Sequence, residues 1–348
     1  MTASKVSWET GKDWFIRFLT SETLIYVIKR LLQASFTLLL ASALSFFIIQ
    51  LAPGDYLDVL RQNPKISEDR VAELTRLYGL DKSWAEQYFL WLWRIFTKWD
   101  FNQSFLSQRP VASLIGERVQ ATLLLAVSSL VMTWVVAIPL GIVAAVKQNR
   151  TTDRVLQVIS YIGQGFPSFI TALFLLIFAQ ITTPLFPTGG ITSINHEELN
   201  WFGKILDVLW HMILPTIALS VTSFAGLQRI TRGELLDVLR QDYIQTARAK
   251  GLPENRVIYV HALRNAINPL ITLLGFELAG LLSGAFIAEF FFNWPGLGRL
   301  TLKAVQDQDL YVLMASLVMG AVLLILGNLV ADLMLKFADP RIKLEDLN

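Results

Sequence analysis

Apolar residues in this 348-residue chain gather into six long runs, at 31–51, 121–146, 155–181, 209–228, 267–291 and 311–335. A helix needs about 20 mostly apolar residues to cross a bilayer, and these runs match that length. They are continuous, with no alternation of apolar and polar positions. Lipid leaves backbone groups without water, so a spanning segment must be a helix or part of a closed barrel, and continuous runs predict helices. The polar segments between them are unequal. Segments 1–30, 147–154, 229–264 and 336–343 are rich in Lys and Arg, whereas the two short loops opposite hold only Lys204, Arg299 and Lys303. Positive charge marks the cytoplasmic side, so both termini and the segment 229–264 are expected inside. The pattern predicts an all-α integral membrane protein with six transmembrane helices and a long external loop after the first.

That external loop has helical signals of its own. In SEDRVAELTRLYGL (67–80), Ser67 suits an N-cap and Gly79 a stop. WAEQYFLWLWRIFTKWDF (84–101) is dense in aromatics, and Trp91, Trp93 and Trp99 suit a helix at the outer interface. A small cap packed on its own aromatics is the competing reading. Residues 1–24 carry Lys5, Glu9, Lys12, Asp13, Arg17 and Glu22 and lack the apolar core of a cleavable signal. Trp8, Trp14, Phe15 and Phe18 beside Arg17 suit either a short surface helix or a loose tail.

Composition agrees with the pattern. The chain is 53% hydrophobic and 17% charged, against about 25% charge in an average soluble domain. A formal net charge of +2 gives no field that would favour nucleic acid. With no cysteine, disulfides and thiolate metal sites are excluded.

The usual signatures of chemistry are missing. There is no GxxxxGK[ST], no HExxH and no GxSxG. His196, His211 and His261 fall in separate segments, where separate ordinary roles are expected. No catalytic residue and no metal site is expected. Ionisable groups inside spans are more informative, because they are costly there and face a cavity or a partner. Glu277 lies mid-span, on a translocation path, at a subunit interface, or hydrogen-bonded within the bundle. Asp332, near Asn328, suits a structural hydrogen bond, and Glu289 lies where water is expected to reach it. Gly280 and Gly284 have the spacing that allows close helix contact. Gly163, Gly165 and Pro167 weaken or bend the third span around Gln164, Pro167 and Ser168, and Pro139 and Gly141 do the same in the second. Broken helices of this kind line transport pathways, and they also occur in inert bundles.

The segment LRQDYIQTARAKGLPENRVIYVHALRNAINPL (239–270) is the least ordinary. Residues 231–251 read as one amphipathic helix stopped by Gly251, which adopts a left-handed conformation cheaply. Pro253 suits the first turn of a second helix. Two short helices meeting at a corner, with the small Ala247 and Ala249 beside it, have the shape of a docking element. A solvated charged face is the ordinary alternative.

This hairpin resembles the cytoplasmic coupling loop of ABC importer permeases. The general pattern of that loop begins Glu-Ala-Ala and reaches a Gly four residues after the second Ala. Here Gln245, Thr246 and Ala247 precede Gly251, so the first two positions depart from the pattern, and the later Leu-Pro is lacking. The departures are similar to the dipeptide/oligopeptide/nickel branch, whose loop runs close to DYIQTARAKGL…HALRNA. The stretches at 30–55, RPVASLIGERVQATLLLAV (109–127), PSF (167–169), PTGG (187–190), NWPGLGRL (293–300) and DPRI (339–342) also resemble that branch, in order.

The resemblance implies a type I ABC importer permease fold and a pore subunit that is not itself an enzyme. It implies a second homologous permease, with a heterodimer expected, and two ABC ATPase subunits that hold ATP-Mg. It also implies an external substrate-binding protein and residence in the inner or plasma membrane. This chain holds no cofactor in that scheme. Tyr243, Gln245, Thr246, Ala247, Ala249, Gly251 and Leu252 would couple to an ATPase, and Trp294, Pro295 and Gly296 would face the binding protein. The implied cargo is di- or oligopeptide, with nickel chelates or another small solute as alternatives and a stand-alone secondary transporter as the distant rival. The expected organisation is a cytoplasmic tail 1–29, a first span 30–52, an external region 53–118, a five-helix permease domain 119–337 with the coupling loop at 232–266, and a cytoplasmic tail 338–348.

Overall fold

A computed structural model of the chain describes residues 22–51, 57, 61 and 67–338. The expected surface helix near Trp8 and Trp14 and the C-terminal tail 339–348 lie outside these residues. The described chain is helical almost throughout. Helix α1 (Glu22–Gln50) is followed by two shorter helices, α2 (Glu68–Tyr78) and α3 (Trp84–Lys98). Then come α4 (Val111–Val146), α5 (Thr151–Gly165), α6 (Ser168–Ile181) and α7 (Trp201–Leu239). The hairpin helix α8 (Asp242–Ala249) leads through short turns to α9 (Asn268–Phe291), α10 (Leu297–Gln306) and α11 (Leu310–Ala338).

Four stretches are long and apolar enough to span a bilayer: Tyr26–Gln50, Val111–Val146, Trp201–Leu239 and Leu310–Val330. The third expected span, 155–181, is two helices, α5 and α6, meeting at 101°. The sequence predicts a weakening there, and the break is sharper than a kink. Pro167 takes an extended conformation and serves as the N-cap of α6, so no hydrogen bond carries α5 onward. The expected span 267–291 is the 24-residue helix α9. Pro139 does not interrupt α4, which runs through it. Gly141 serves packing instead, because a Cβ there would stand 2.6 Å from Thr231 Cβ on α7.

Helices α4 and α7 form the centre of the bundle, crossed by α9. Helix α5 lies along α7 through a periodic strip. Gly163 faces Ala225, the Ser160 hydroxyl donates to Gln228, and Asp153 receives Arg232. Positions 225, 228 and 232 share one face of a helix, as do 153, 160 and 163. At the end of α1 away from Tyr26, α2 and α3 form a small cap packed on aromatics, the competing reading of this loop. Ser67 and Ser83 are their N-caps, and Ser83 with Glu86 makes a reciprocal capping box. Gly79 closes α2 at φ +67°. Trp91 is buried against the bundle, not offered to lipid, while Trp93 is exposed. The cap's core of Phe46, Tyr88, Trp91, Phe105 and Tyr311 stacks on the outer ends of α4 and α11. Asp309 holds it from below, accepting from Ser104 Oγ at 2.6 Å and from the backbone of Val312 at 3.3 Å.

At the opposite end of α1, Tyr26 donates to Asp332 at 2.8 Å and Arg30 pairs with it at 3.3 Å. Asp332 therefore has the structural role expected of it, joining the first helix to the last.

Candidate functional site

The hairpin is built differently from the expected pair of helices. Helix α7 runs straight out of the bundle to Leu239, and the chain then breaks at Gln241, whose backbone is extended. The predicted helix 231–251 is thus the end of α7 plus the separate helix α8. Ile244 and Ala247 of α8 are buried among Ile142, Ala145, Leu235, Leu236, Val257 and Ile258. Ala247 is consequently a foot of the hairpin and not part of its outer surface. Burying Ile244 alone removes enough apolar surface to be worth about 2 kcal/mol.

The outer surface consists of Tyr243, Gln245, Thr246, Ala249, Lys250 and Gly251, all exposed, with Leu252 half-buried at its edge. Gly251 turns the corner at φ +76°, and its N–H donates to Arg248 O at 2.9 Å. Open space surrounds the position where a Cβ would lie, so the backbone conformation alone calls for glycine there. Pro253 is the residue before the next helix rather than its first turn. The corner is braced across its mouth. Arg248 donates to both carboxylate oxygens of Glu254 at 2.7 and 3.2 Å, and the Arg248 guanidinium holds the Glu254 carboxyl below its ordinary range. Asn265 donates to the Tyr243 hydroxyl at 2.8 Å. After the corner the chain takes a widened π-type turn at Val257–Ala262 before entering α9.

A second tie joins this region to the elbow. Asp153 is fully buried and accepts Arg232 Nε at 2.7 Å and Nη2 at 2.9 Å, with Asn149 N–H and Gln157 Nε2 as further donors. The sequence reading missed it. A signal was present: Asp153 is the lone carboxylate in the basic segment KQNRTTDR.

The residues proposed for a path are divided between two places. Gln164, Pro167 and Ser168 meet at the elbow of α5 and α6, with Gln164 against Gly226 of α7. Glu277 lies on α9, where its Oε2 is buried without a hydrogen-bond partner. It sits one turn beyond Leu273, which packs in the same cluster as Trp134, and the buried Trp134 Nε1 lies beside the Glu277 carboxylate. Among the described residues, nothing lies within 4 Å of where a Cβ on Gly280 would stand. Gly284 lies in α9, and its surroundings are outside what is described.

The turn after α9 packs into the bundle. Trp294 is completely buried and donates to Ala121 O at 2.9 Å. Glu289 is buried as well, contrary to the expectation that water reaches it. Its carboxylate accepts Thr122 Oγ1 at 2.6 Å and Arg299 N–H at 3.1 Å, at the N-terminus of α10. Gly296 lies so close to that carboxylate that no side chain fits. Of the residues assigned to an external partner, Trp294 and Gly296 close the bundle, and Pro295 stays partly exposed. The PTGG segment clamps the same end: Gly190 donates to Phe292 O at 2.9 Å, and Gly189 lies against that carbonyl. Nearby, His196 and His211 share Asp207, at 2.7 and 3.3 Å, so these two histidines have a joint role after all.

Helices long and apolar enough to cross a membrane, a sharp elbow between two of them and a braced hairpin are the architecture of a membrane transport subunit. Residues 137–344 match the binding-protein-dependent transport system inner membrane component, and residues 23–126 match the N-terminal membrane component of such systems. The chain belongs to this family of ABC importer permeases. Oligopeptide transport system permease protein AppB of Bacillus subtilis (strain 168) is 39% identical over 319 residues, 91% of this chain and 99% of that one. Dipeptide transport system permease protein DppB of Escherichia coli (strain K12) is 35% identical over 334 residues, 91% and 98% of the two chains. Glutathione transport system permease protein GsiC of Shigella flexneri serotype 5b is 36% identical over 320 residues, again 91% and 98%. Among solved structures, an inward-facing form of the MetNI methionine ABC transporter superposes with a TM-score of 0.54 at 17% identity, over 65% of this chain and 97% of that one. The shared fold is that of a type I importer permease.

Proposed function

We propose that this chain is one half of the pore of an ATP-driven importer for di- and oligopeptides. Relatives named for oligopeptide, dipeptide and glutathione transport, each matched over nearly its whole length, support that cargo. A second, different permease completes the pore, two ATPases carrying ATP-Mg sit beneath it, and an external binding protein delivers substrate. The observation that carries the coupling role is the braced hairpin. Its inner face is packed into the bundle, and Tyr243, Gln245, Thr246, Ala249 and Gly251 face outward as a rigid corner. A corner held on two sides transmits displacement, whereas a slack loop absorbs it. ATPase closure pushes the corner, and the bundle changes between two discrete packings, one open inward and one open outward. Gln164, Pro167, Ser168 and Glu277 line the route, and both termini lie in the cytoplasm.

The test is purification of the tagged chain from its native membrane, followed by uptake of a labelled dipeptide into proteoliposomes. The expected complex contains two ATPases and a second permease, and uptake requires ATP and the binding protein. Ion-driven uptake by this chain alone overturns the reading. Uptake of a nickel chelate without competition from peptides replaces the cargo and leaves the machinery.

A further inference from the structure

The external helix α3 carries three faces, not two. Tyr88 and Trp91 are buried, and Ile95 packs beside them. Phe89, Trp93 and Phe96, spaced by four and three residues, form a second stripe that is about 70% exposed. Glu86, Arg94, Thr97 and Lys98 form most of a third, polar stripe, interrupted by Leu90. At 3.6 residues per turn these stripes lie roughly a third of a turn apart. A helix on a globular surface needs only an apolar and a polar face. Three faces suit a helix that meets protein, water and a third medium together.

The contacts of α3 fix its depth. The Tyr88 ring packs 5.5 Å from the Phe46 ring of α1. Its hydroxyl reaches Ser42 Oγ at 2.8 Å and Leu39 O at 3.2 Å, while Gln87 pairs with Gln50, the last residue of α1, at 3.1 Å. Phe46 lies one turn inside that end, about 6 Å at 1.5 Å per residue. Helices lying in a membrane surface bury their apolar faces about 5–10 Å into the boundary of headgroups and acyl chains. At the same level, Leu44, Phe47 and Ile48 of the spanning helix α1 are exposed, so the apolar surface of α1 continues onto α3.

We propose that α3 is an outer-leaflet anchor, with Phe89, Trp93 and Phe96 seated in lipid at the headgroup boundary and Glu86, Thr97 and Lys98 in water. This rests on α1 spanning the membrane with its N-terminus in the cytoplasm, as proposed above, and it stands whatever the cargo.

The chain has no cysteine, so single cysteines report on it once the signal of the wild-type complex labelled in the same way is subtracted. The variants F89C, W93C, F96C, T97C and K98C are made in the full chain, assembled with its partners in nanodiscs and labelled with a nitroxide. Collision with oxygen, which concentrates in lipid, is compared with collision with a water-soluble nickel chelate. The oxygen-to-nickel ratio is expected to be several-fold higher at 89, 93 and 96 than at 97 and 98. Equal ratios at all five positions overturn the anchor. So does shielding of 89, 93 and 96 from both reagents, which would mean that a protein covers the face. If a cysteine variant fails to assemble, W93F gives a second readout. Bromolipids are expected to quench a smaller fraction of its tryptophan fluorescence than of the wild type, and an unchanged fraction overturns the proposal.

Discussion

Two residues show how far single positions could be read from sequence. Gly251 was legible, because a Gly ahead of a Pro at the end of an amphipathic run marks a left-handed stop, and its φ of +76° agrees. Proline fixes φ near about −65° and has no N–H. Gly251→Pro is therefore expected to break the corner and remove the bond to Arg248 O. Uptake and substrate-stimulated ATP hydrolysis should both be lost, with membrane insertion unchanged on blots of washed membranes. Normal coupled uptake in this variant would remove the hairpin's role. Glu289 was not legible, because its burial depends on Thr122, 167 residues away, and on the turn that folds Arg299 back onto it. Glu289→Ala leaves the Thr122 hydroxyl and the Arg299 N–H without their acceptor, at about 1–3 kcal/mol for each buried group left unpaired. A lower midpoint in thermal unfolding of the assembled complex is the expected result.

At the scale of elements, the existence of the helices was clear and their ends were not. Hydropathy sees only the part of a helix that lipid covers, so α7 was read as 209–228 although it runs from Trp201 to Leu239. The elbow was visible as Gly163, Gly165 and Pro167, but its 101° angle depends on what α5 packs against. That packing ends in the pair Asp153–Arg232. Removing one partner of a buried ion pair costs about 3–5 kcal/mol, because the other is left uncompensated. The guanidinium retains some exposure, which favours the lower end. Both Asp153→Asn and Arg232→Ala are expected to reduce dipeptide uptake strongly, and the exchange D153R/R232D should recover part of it. If either single variant transports at the wild-type rate, α5 and α7 do not need this tie.

For the whole molecule, the charge asymmetry of the loops gave an orientation that a membrane-impermeant maleimide can check. Ala249 is exposed, and a cysteine there is expected to label in inside-out vesicles stripped of the ATPases and to stay unlabelled in right-side-out ones. The reverse result inverts the topology. Which helices meet which was not readable, because spans of similar composition pack through single small residues such as Gly141 and Ala225, whose partners lie far away in sequence. The long helix α7 joins these scales. From the Arg232 tie to Leu239 it extends seven residues, roughly 10 Å, and from the tie up to Pro215 seventeen residues, roughly 25 Å. Along that length α7 is held at several points, by Gly141 against Thr231, Ser160 against Gln228 and Gly163 against Ala225. A push at the hairpin is therefore shared by α4, α5 and α7 as one body, and the hairpin acts as the handle of a clamped block.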